Sequence, residues 1–343
     1  MSTVLAGDLG GTKTLLGLYR AENGRLRQLV RRRYASAEWS SLGPMLADFL
    51  AGLPSGSETP SAACLAVAGP VQRGEARITN LPWTLEREAL ASQAGVAALE
   101  LVNDFAVLVH GLPHLEPHQQ VTLQPPGEAA DPAGPVAIIG AGTGLGVARG
   151  LPGPDGLEAL ASEGGHREFA PRNEEEWQLS RWLLRQLDLD RLSTERIASG
   201  TGLGWIALWL LDTSPAEHPL RDAALAWRAG IGADGDRPDL PALVSQAADA
   251  GDPLAGRALE LWLGAYGSAA GDLALHELAT GGLWIAGGTA AKQLDRLRSP
   301  AFLAPLRTKG RFRPLLEQIP VRVLLEPDAG LFSAACRALR VGH

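Results

Sequence analysis

Short apolar runs alternate along the chain with turns built from glycine, proline, asparagine and acidic residues. Residues 4–6 and 15–19 are apolar and flank Gly10 and Gly11, so they predict two strands joined by a tight turn in which the glycines allow positive φ. Glu22-Asn23-Gly24 is a turn signal, and the loose alternation over 25–34 predicts a third antiparallel strand. Trp39, Leu42, Met45, Leu46, Phe49 and Leu50 fall at helical spacing, which predicts a helix within 38–53. Residues 62–68 predict a buried strand, 86–95 a short helix and 98–103 another strand that runs into a short apolar helix. Residues 111–135, rich in Pro, His and Gln, read as a long connection between lobes. A strand over 136–139 enters a second Gly/Thr turn followed by a second apolar run. Residues 174–188 predict an amphipathic helix with a solvated acidic first turn, and 203–280 are mostly helical, with one long buried helix over 254–280. Residues 283–286 predict a strand ending in Gly287-Gly288, 321–325 the last strand and 330–339 a closing helix that packs back on the first lobe.

A length of 343 residues suits two domains or one large one. With 45% hydrophobic and 20% charged residues, a sizeable core forms and wholesale disorder is excluded. A net charge of -7 without a long basic block argues against nucleic acid as the main partner, while leaving room for a local basic pocket. Cys64 and Cys336 lie far apart, giving neither a disulfide framework nor zinc spacing, and fit a reducing, cytoplasmic setting. No signal peptide is visible, and no apolar run reaches the roughly 20 residues of a membrane span, so no membrane partner is expected.

The first glycine turn carries the sharpest candidate chemistry. Backbone N–H groups converging at Gly10, Gly11 and Thr12 suit a phosphate, Thr12 and Thr14 add hydroxyls, and Lys13 offers a cation. Asp8 sits at the lip of the turn, where a carboxylate opposes a phosphate unless a cation lies between; it is a candidate for holding Mg²⁺, through water. The P-loop pattern fails because Thr12 precedes the lysine, and the dinucleotide pattern fails because a strand, not a helix, follows. The second turn, Gly142-Thr143-Gly144, repeats the arrangement; two such turns, one per half, would grip a phosphate chain from two sides, and closure would expel water.

Asn103 and Asp104 end a strand, where ligands of open α/β sheets sit. Asp104 reads either as a general base for a substrate hydroxyl, with Asn103 fixing its direction, or as the cap of the next helix. Glu163 and His166 are separated by two glycines, so both can face one ligand, a pairing suited to sugar hydroxyls; zinc lacks further ligands at useful spacing. Glu195 reads as a surface or capping residue, and Thr79 and Asn80 as turn chemistry. His110, His114 and His118 have helical spacing, but Pro113 and Pro117 break a helix, so exposed loop histidines are expected. Gly287 and Gly288 let a flat ring approach the backbone.

Taken in order, Gly-Asp-Leu-Gly-Gly-Thr (7–12), Ile-Thr-Asn-Leu-Pro-Trp (78–83), Val-Asn-Asp-Phe (102–105), Gly-Ala-Gly-Thr-Gly-Leu-Gly (140–146), Ser-Glu-Gly-Gly-His (162–166), Glu-Arg-Ile-Ala-Ser-Gly (195–200) and Ala-Gly-Gly (286–288) resemble the bacterial glucokinase family, within the sugar-kinase, actin and Hsp70 superfamily. The related repressor-and-kinase group shares the phosphate turns but carries a Cys-rich zinc motif that this chain lacks. The resemblance implies a two-lobed actin/hexokinase-like (ribonuclease H-like) α/β fold with a cleft, the small domain being 1–111 plus 326–343 and the large one 112–325. It implies transfer of the ATP γ-phosphate to the 6-hydroxyl of glucose, with Asp104 as base and Mg²⁺ at Asp8. Asn80, Asn103, Glu163, His166 and Glu195 would bind the sugar. Gly10, Gly11, Thr12 and Lys13 would form the first phosphate turn, Gly142, Thr143 and Gly144 the second, and Gly287 and Gly288 would lie by the adenosine. A homodimer is expected from related enzymes. Other readings are a kinase for another hexose or hexosamine, and a non-catalytic sugar- and ATP-dependent switch. Residues 211–252 carry no assigned chemistry.

Overall fold

A computed structural model describes residues 2–23, 25–78, 81–214, 216–231 and 237–342. The chain divides into two compact units, residues 1–120, 148–161 and 325–343 forming the first and 121–147 and 162–324 the second.

The first unit is built on a five-stranded sheet. Its strands are β1 (Thr3–Leu9), β2 (Lys13–Glu22), β3 (Arg25–Ala35) and β4 (Ala62–Val67); β5 (Val71–Gln72), β6 (Glu75–Arg77) and β7 (Thr84–Glu86) form a small separate sheet, and β8 (Ala98–Asn103) completes the main one. The order is β3-β2-β1-β4-β8, antiparallel through β3, β2 and β1 and parallel through β1, β4 and β8. Every residue of β4 is buried, which is why its sequence is an unbroken apolar run rather than an alternation. Leu42, Met45, Leu46 and Phe49 of the helix Leu42–Ala51 and Leu90 of the helix Arg87–Ala94 pack on one face with Leu5, Leu16 and Leu65. The C-terminal helix, Ala329–Val341, packs on β1, β4 and the short helix Leu108–Gly111, as expected for a closing helix. Because β1, β4 and β8 run parallel, Asp8 and Asn103 both lie at carboxyl ends, with Leu9, Val67 and Asn103 in register.

The second unit is organised on β9 (Gln120–Gln124), β10 (Val136–Ala141), β11 (Leu145–Gly153), β13 (Gly282–Ala286) and β14 (Val321–Leu324), with β12 (Gly156–Ser162) continuing the hairpin begun by β11. Strands β10, β13 and β14 are parallel, and residues 148–161 of the hairpin group with the first unit. The long helix Pro253–His276 backs this sheet and meets the helix Pro300–Arg307 closely: a Cβ on Gly267 would stand 2.2 Å from Phe302 O, and one on Gly271 2.1 Å from Leu306 O. Trp262, Tyr266 and Phe302 pack in series, the first pair tilted and the second edge-on, with centroids 5.3 and 5.4 Å apart.

Several expectations need correcting. The stretch 111–135 is not all connection, since β9 lies within it; Gln124, buried, donates to Leu316 O and Ile319 O and fixes that strand. His110 is buried rather than exposed, because the short helix carrying it packs under the C-terminal helix. In the helix Glu174–Leu187, Asn173 caps Glu176 N at 2.9 Å, but the acidic turn is not wholly solvated: Glu176 is buried and paired with Arg172. Among the described residues no group of three or more His, Cys, Asp and Glu side chains is arranged to hold a metal ion, and no helix is long and apolar enough to cross a membrane.

Candidate active site

In the first unit, β1 delivers Asp8 and the turn 10–12 follows. Gly10 N donates to Lys13 O at 3.0 Å, and a Cβ on Gly10 would meet that oxygen at 3.1 Å. Close approach therefore selects glycine here; Gly10 does not adopt the positive φ that a hairpin of this length predicts, and neither do Gly142 and Gly144. Gly11 is half-buried, and Thr12 and Lys13 are exposed at the tip. Thr14 is not available to a ligand: it is fully buried, its hydroxyl 3.0 Å from Ser36 Oγ. Ser36, which sequence reading missed, also donates its hydroxyl to Gly10 O at 2.7 Å and its backbone N–H to Thr12 O at 3.1 Å, bracing both sides of the turn.

Burial raises the Asp8 carboxyl above its ordinary range, the Lys13 ammonium pulls it back and the Asp328 carboxylate adds to the rise. Asp328 is held by Arg31 at 2.7 Å. The Asp8 carboxylate also lies against the first turn of the C-terminal helix, where a Cβ on Gly330 would stand 2.8 Å from Oδ2. A second cation beside Asp8 would relieve its burial, so the donor set fits one hydrated Mg²⁺.

At the end of β8, Asn103 is spent on its own loop. Its Nδ2 donates to Gly69 O at 3.2 Å and to Asp104 Oδ1 at 3.1 Å, and its Oδ1 accepts Phe105 N and Ala106 N at 3.1 and 3.0 Å. The capping role therefore falls to Asn103 and not to Asp104; the helix that follows starts only at Leu108. Asp104 N donates to Val67 O at 2.9 Å, anchoring the backbone of this loop to β4. Asn80 and Thr79 lie outside the described residues.

The second unit brings its three sugar-type residues together. His166 Nε2 stands 3.7 Å from Glu163 Oε2, and His166 Nδ1 stands 3.8 Å from Glu195 Oε1. Both separations exceed direct hydrogen bonds, so the facing atoms keep capacity for a polar ligand. Of the two glycines between Glu163 and His166, Gly165 is required by packing, since a Cβ there would collide with Leu145 O at 2.1 Å. Glu195 is neither a cap nor a free surface group. Its Oε2 accepts Leu145 N at 2.9 Å and would lie 2.5 Å from a Cβ on Gly144. One carboxylate thus braces the glycine turn with one oxygen and reaches the histidine with the other.

The turn 142–144 is fixed from several directions. Gly142 N donates to Gly144 O and Gly200 N to Gly142 O, both at 2.8 Å, and Thr201 Oγ1 donates to Thr143 O at 2.9 Å. Tyr266, buried in the long helix, accepts Ala141 N at 3.2 Å and donates to Ile139 O at 3.3 Å, locking the strand end beneath the turn. Gly287 has φ 89°, and a Cβ there would meet Ala141 O at 2.7 Å; Thr289 Oγ1 donates to the same oxygen. The Gly287-Gly288 turn and the 142–144 turn are therefore neighbours at the carboxyl ends of paired parallel strands.

Beside them opens a cavity of about 750 Å³, lined by Gly142, Thr143, Gly288, Trp227, Lys292 and Arg237 among others. Cβ atoms on Gly142 or Gly288 would meet nothing within 4 Å and would project into free space. Two open backbone cradles, cationic side chains and an indole make a donor set that fits a nucleotide. Arg296 forms an ion pair with Asp249, and Gln293 Nε2 stands 3.0 Å from Ser245 Oγ, closing the far wall. Trp227, Arg237 and Ser245 come from the stretch to which sequence reading gave no chemistry.

A family model described as Glucokinase matches residues 5–341. A glucokinase of Trichormus variabilis is 41% identical over 99% of this chain and 100% of its own, and one of Chromohalobacter salexigens is 36% identical over 98% and 97%. Among solved structures, a glucokinase from an Antarctic psychrotroph superposes with a TM-score of 0.83 at 28% identity, covering 99% of both chains. A ROK family glucokinase from Streptomyces griseus, solved with glucose and AMPPNP, gives 0.60 at 23% identity and shares the fold. The sheets, the order of the glycine turns and the full-length likeness agree: the chain belongs to the glucokinase family.

Proposed function

We infer that the chain is a glucokinase, an ATP-dependent hexose kinase that transfers the γ-phosphate of ATP to the 6-hydroxyl of glucose, giving glucose 6-phosphate and ADP. The observation that carries this reading is the double engagement of Glu195, which ties a Glu-His-Glu cluster suited to sugar hydroxyls to the glycine turn bordering the nucleotide-sized cavity. Asp104, held by the Asn103 amide at 3.1 Å, would accept the hydroxyl proton as the oxygen attacks phosphorus. Glu163, His166 and Glu195 would orient the sugar, and Asn103 would orient Asp104; the family resemblance adds Asn80 as a sugar ligand. Gly142, Thr143 and Gly144, and from the first unit Gly10, Gly11, Thr12 and Lys13, would direct N–H groups and charge at the phosphates. Mg²⁺ supplies charge neutralisation when bound, and Asp8 is the residue that would hold it through water. A cytoplasmic setting fits the two free, buried cysteines, Cys64 and Cys336, and a homodimer rests on the family resemblance alone.

ADP release over a panel of hexoses and hexosamines with ATP and Mg²⁺ tests the reading. Turnover with glucose well above that with mannose, fructose or glucosamine supports it. Preference for another sugar makes the chain a different hexose kinase, and no turnover with any of them leaves the switch.

A further inference from the structure

A second cavity, of about 1050 Å³, lies wholly within the first unit and is touched by none of the groups above. Its apolar lining comes from Leu26 of β3, Pro113 and Pro117, and Phe332 and Leu339 of the C-terminal helix. Three guanidinium groups, Arg25, Arg337 and Arg340, line it together with two carboxylates, Glu116 and Asp155. Arg25 is paired with Glu116 at 3.2 Å, and Arg337 holds Glu100 through two nitrogens at 2.6 and 3.2 Å. Arg340 differs. Among the described residues its hydrogen-bond acceptor is a backbone carbonyl, Leu157 O at 3.2 Å, and it has no carboxylate partner. Its charge, with that of Arg337, reaches the histidines nearby. Burial first and then Arg337 and Arg340 depress His110 to about 4, and burial and Arg340 depress His114.

We propose that this cavity binds a small organic monocarboxylate with an apolar body, its carboxylate on the Arg340 guanidinium and its body against Leu26, Phe332 and Leu339. The planar fork of an arginine matches a carboxylate, and a cavity of this size and lining is of the ordinary small-molecule kind. The two lining carboxylates disfavour a dianion such as a phosphate ester. The location makes the site regulatory. The ligand would grip the C-terminal half of the helix Ala329–Val341, whose first turn lies against the Asp8 carboxylate at Gly330. This second step rests on the Mg²⁺ role given to Asp8; the binding step does not.

Calorimetric titration of the full chain with octanoate, octanol and inorganic phosphate tests it. Saturable octanoate binding at or below about 10 mM, weakened about tenfold in Arg340→Gln and also in the exposed-site variant Arg25→Glu, is expected. Arg25→Glu guards against a folding defect in the first variant. Equal binding of octanol, binding of phosphate alone, no binding, or unchanged affinity in both variants overturns the site. With octanoate bound, the KM for MgATP is expected to change at least about twofold; an unchanged KM beside proven binding overturns the regulatory step alone.

Discussion

Asn103 donates its side-chain amide to Asp104 Oδ1 at 3.1 Å while its carbonyl oxygen caps the two N–H groups that follow. The amide is thereby locked in one orientation, because both ends are used. Asn103→Ala removes the donor and both caps. We expect kcat to fall about tenfold or more through loss of Asp104 orientation, with a stability loss of about 1–2 kcal/mol from the uncapped turn. Steady-state kinetics and urea unfolding separate the two effects.

Glu195 joins the sugar-type cluster to the glycine turn, so a lesion on either side should reach both substrates. Gly144→Ala would place its Cβ 2.5 Å from Glu195 Oε2 and displace the bond to Leu145 N. The KM values for glucose and for ATP should both rise several-fold. A variant in which only one of them moves would show the two functions of Glu195 to be separate.

Gly330 tests the setting of Asp8 without touching the carboxylate itself. Its Cβ in Gly330→Ala would stand 2.8 Å from Asp8 Oδ2. The Mg²⁺ concentration for half-maximal rate should increase, while glucose binding, read by titration, should not change. Unaltered Mg²⁺ dependence would remove Asp8 from the metal site.

His110 gives the fold a pH dependence. Its pKa falls from 6.5 to about 4 in the folded chain, chiefly by burial, with Arg337 and Arg340 adding to the fall. The unfolded chain therefore binds the extra proton first. Stability is complete above pH 6.5 and declines as pH drops toward about 4, by on the order of 3 kcal/mol from this group. Unfolding free energy measured against pH should fall less steeply across that window in His110→Phe than in the unaltered chain.

The parts of this molecule that were legible in the sequence are the local ones. Apolar runs placed β1, β2, β4, β8 and β10, and glycines marked the turns at 10–12 and 142–144, because strand burial and turn sterics act within a few residues. The reason for the glycine at 10 was misjudged: close approach to Lys13 O, not positive φ, selects it. What stayed illegible is what spans the chain. Tyr266 serves a strand end 125 residues away, Ser36 braces a turn 26 residues earlier, and Glu195 meets Leu145 across 50 residues. No period or spacing records such pairs. Thr14 reads as a ligand and is core, since β2 is buried on both faces from Thr14 to Tyr19 and only Lys13 before it is exposed.

The proposed mechanism stands or falls with Asp104 as the acceptor of the attacking hydroxyl's proton. Turnover of Asp104→Asn with glucose and MgATP, set beside its glucose affinity by calorimetry, measures this most directly. Near-normal glucose binding with turnover reduced on the order of a hundredfold or more is expected. Turnover within a few-fold of the unaltered chain would contradict it.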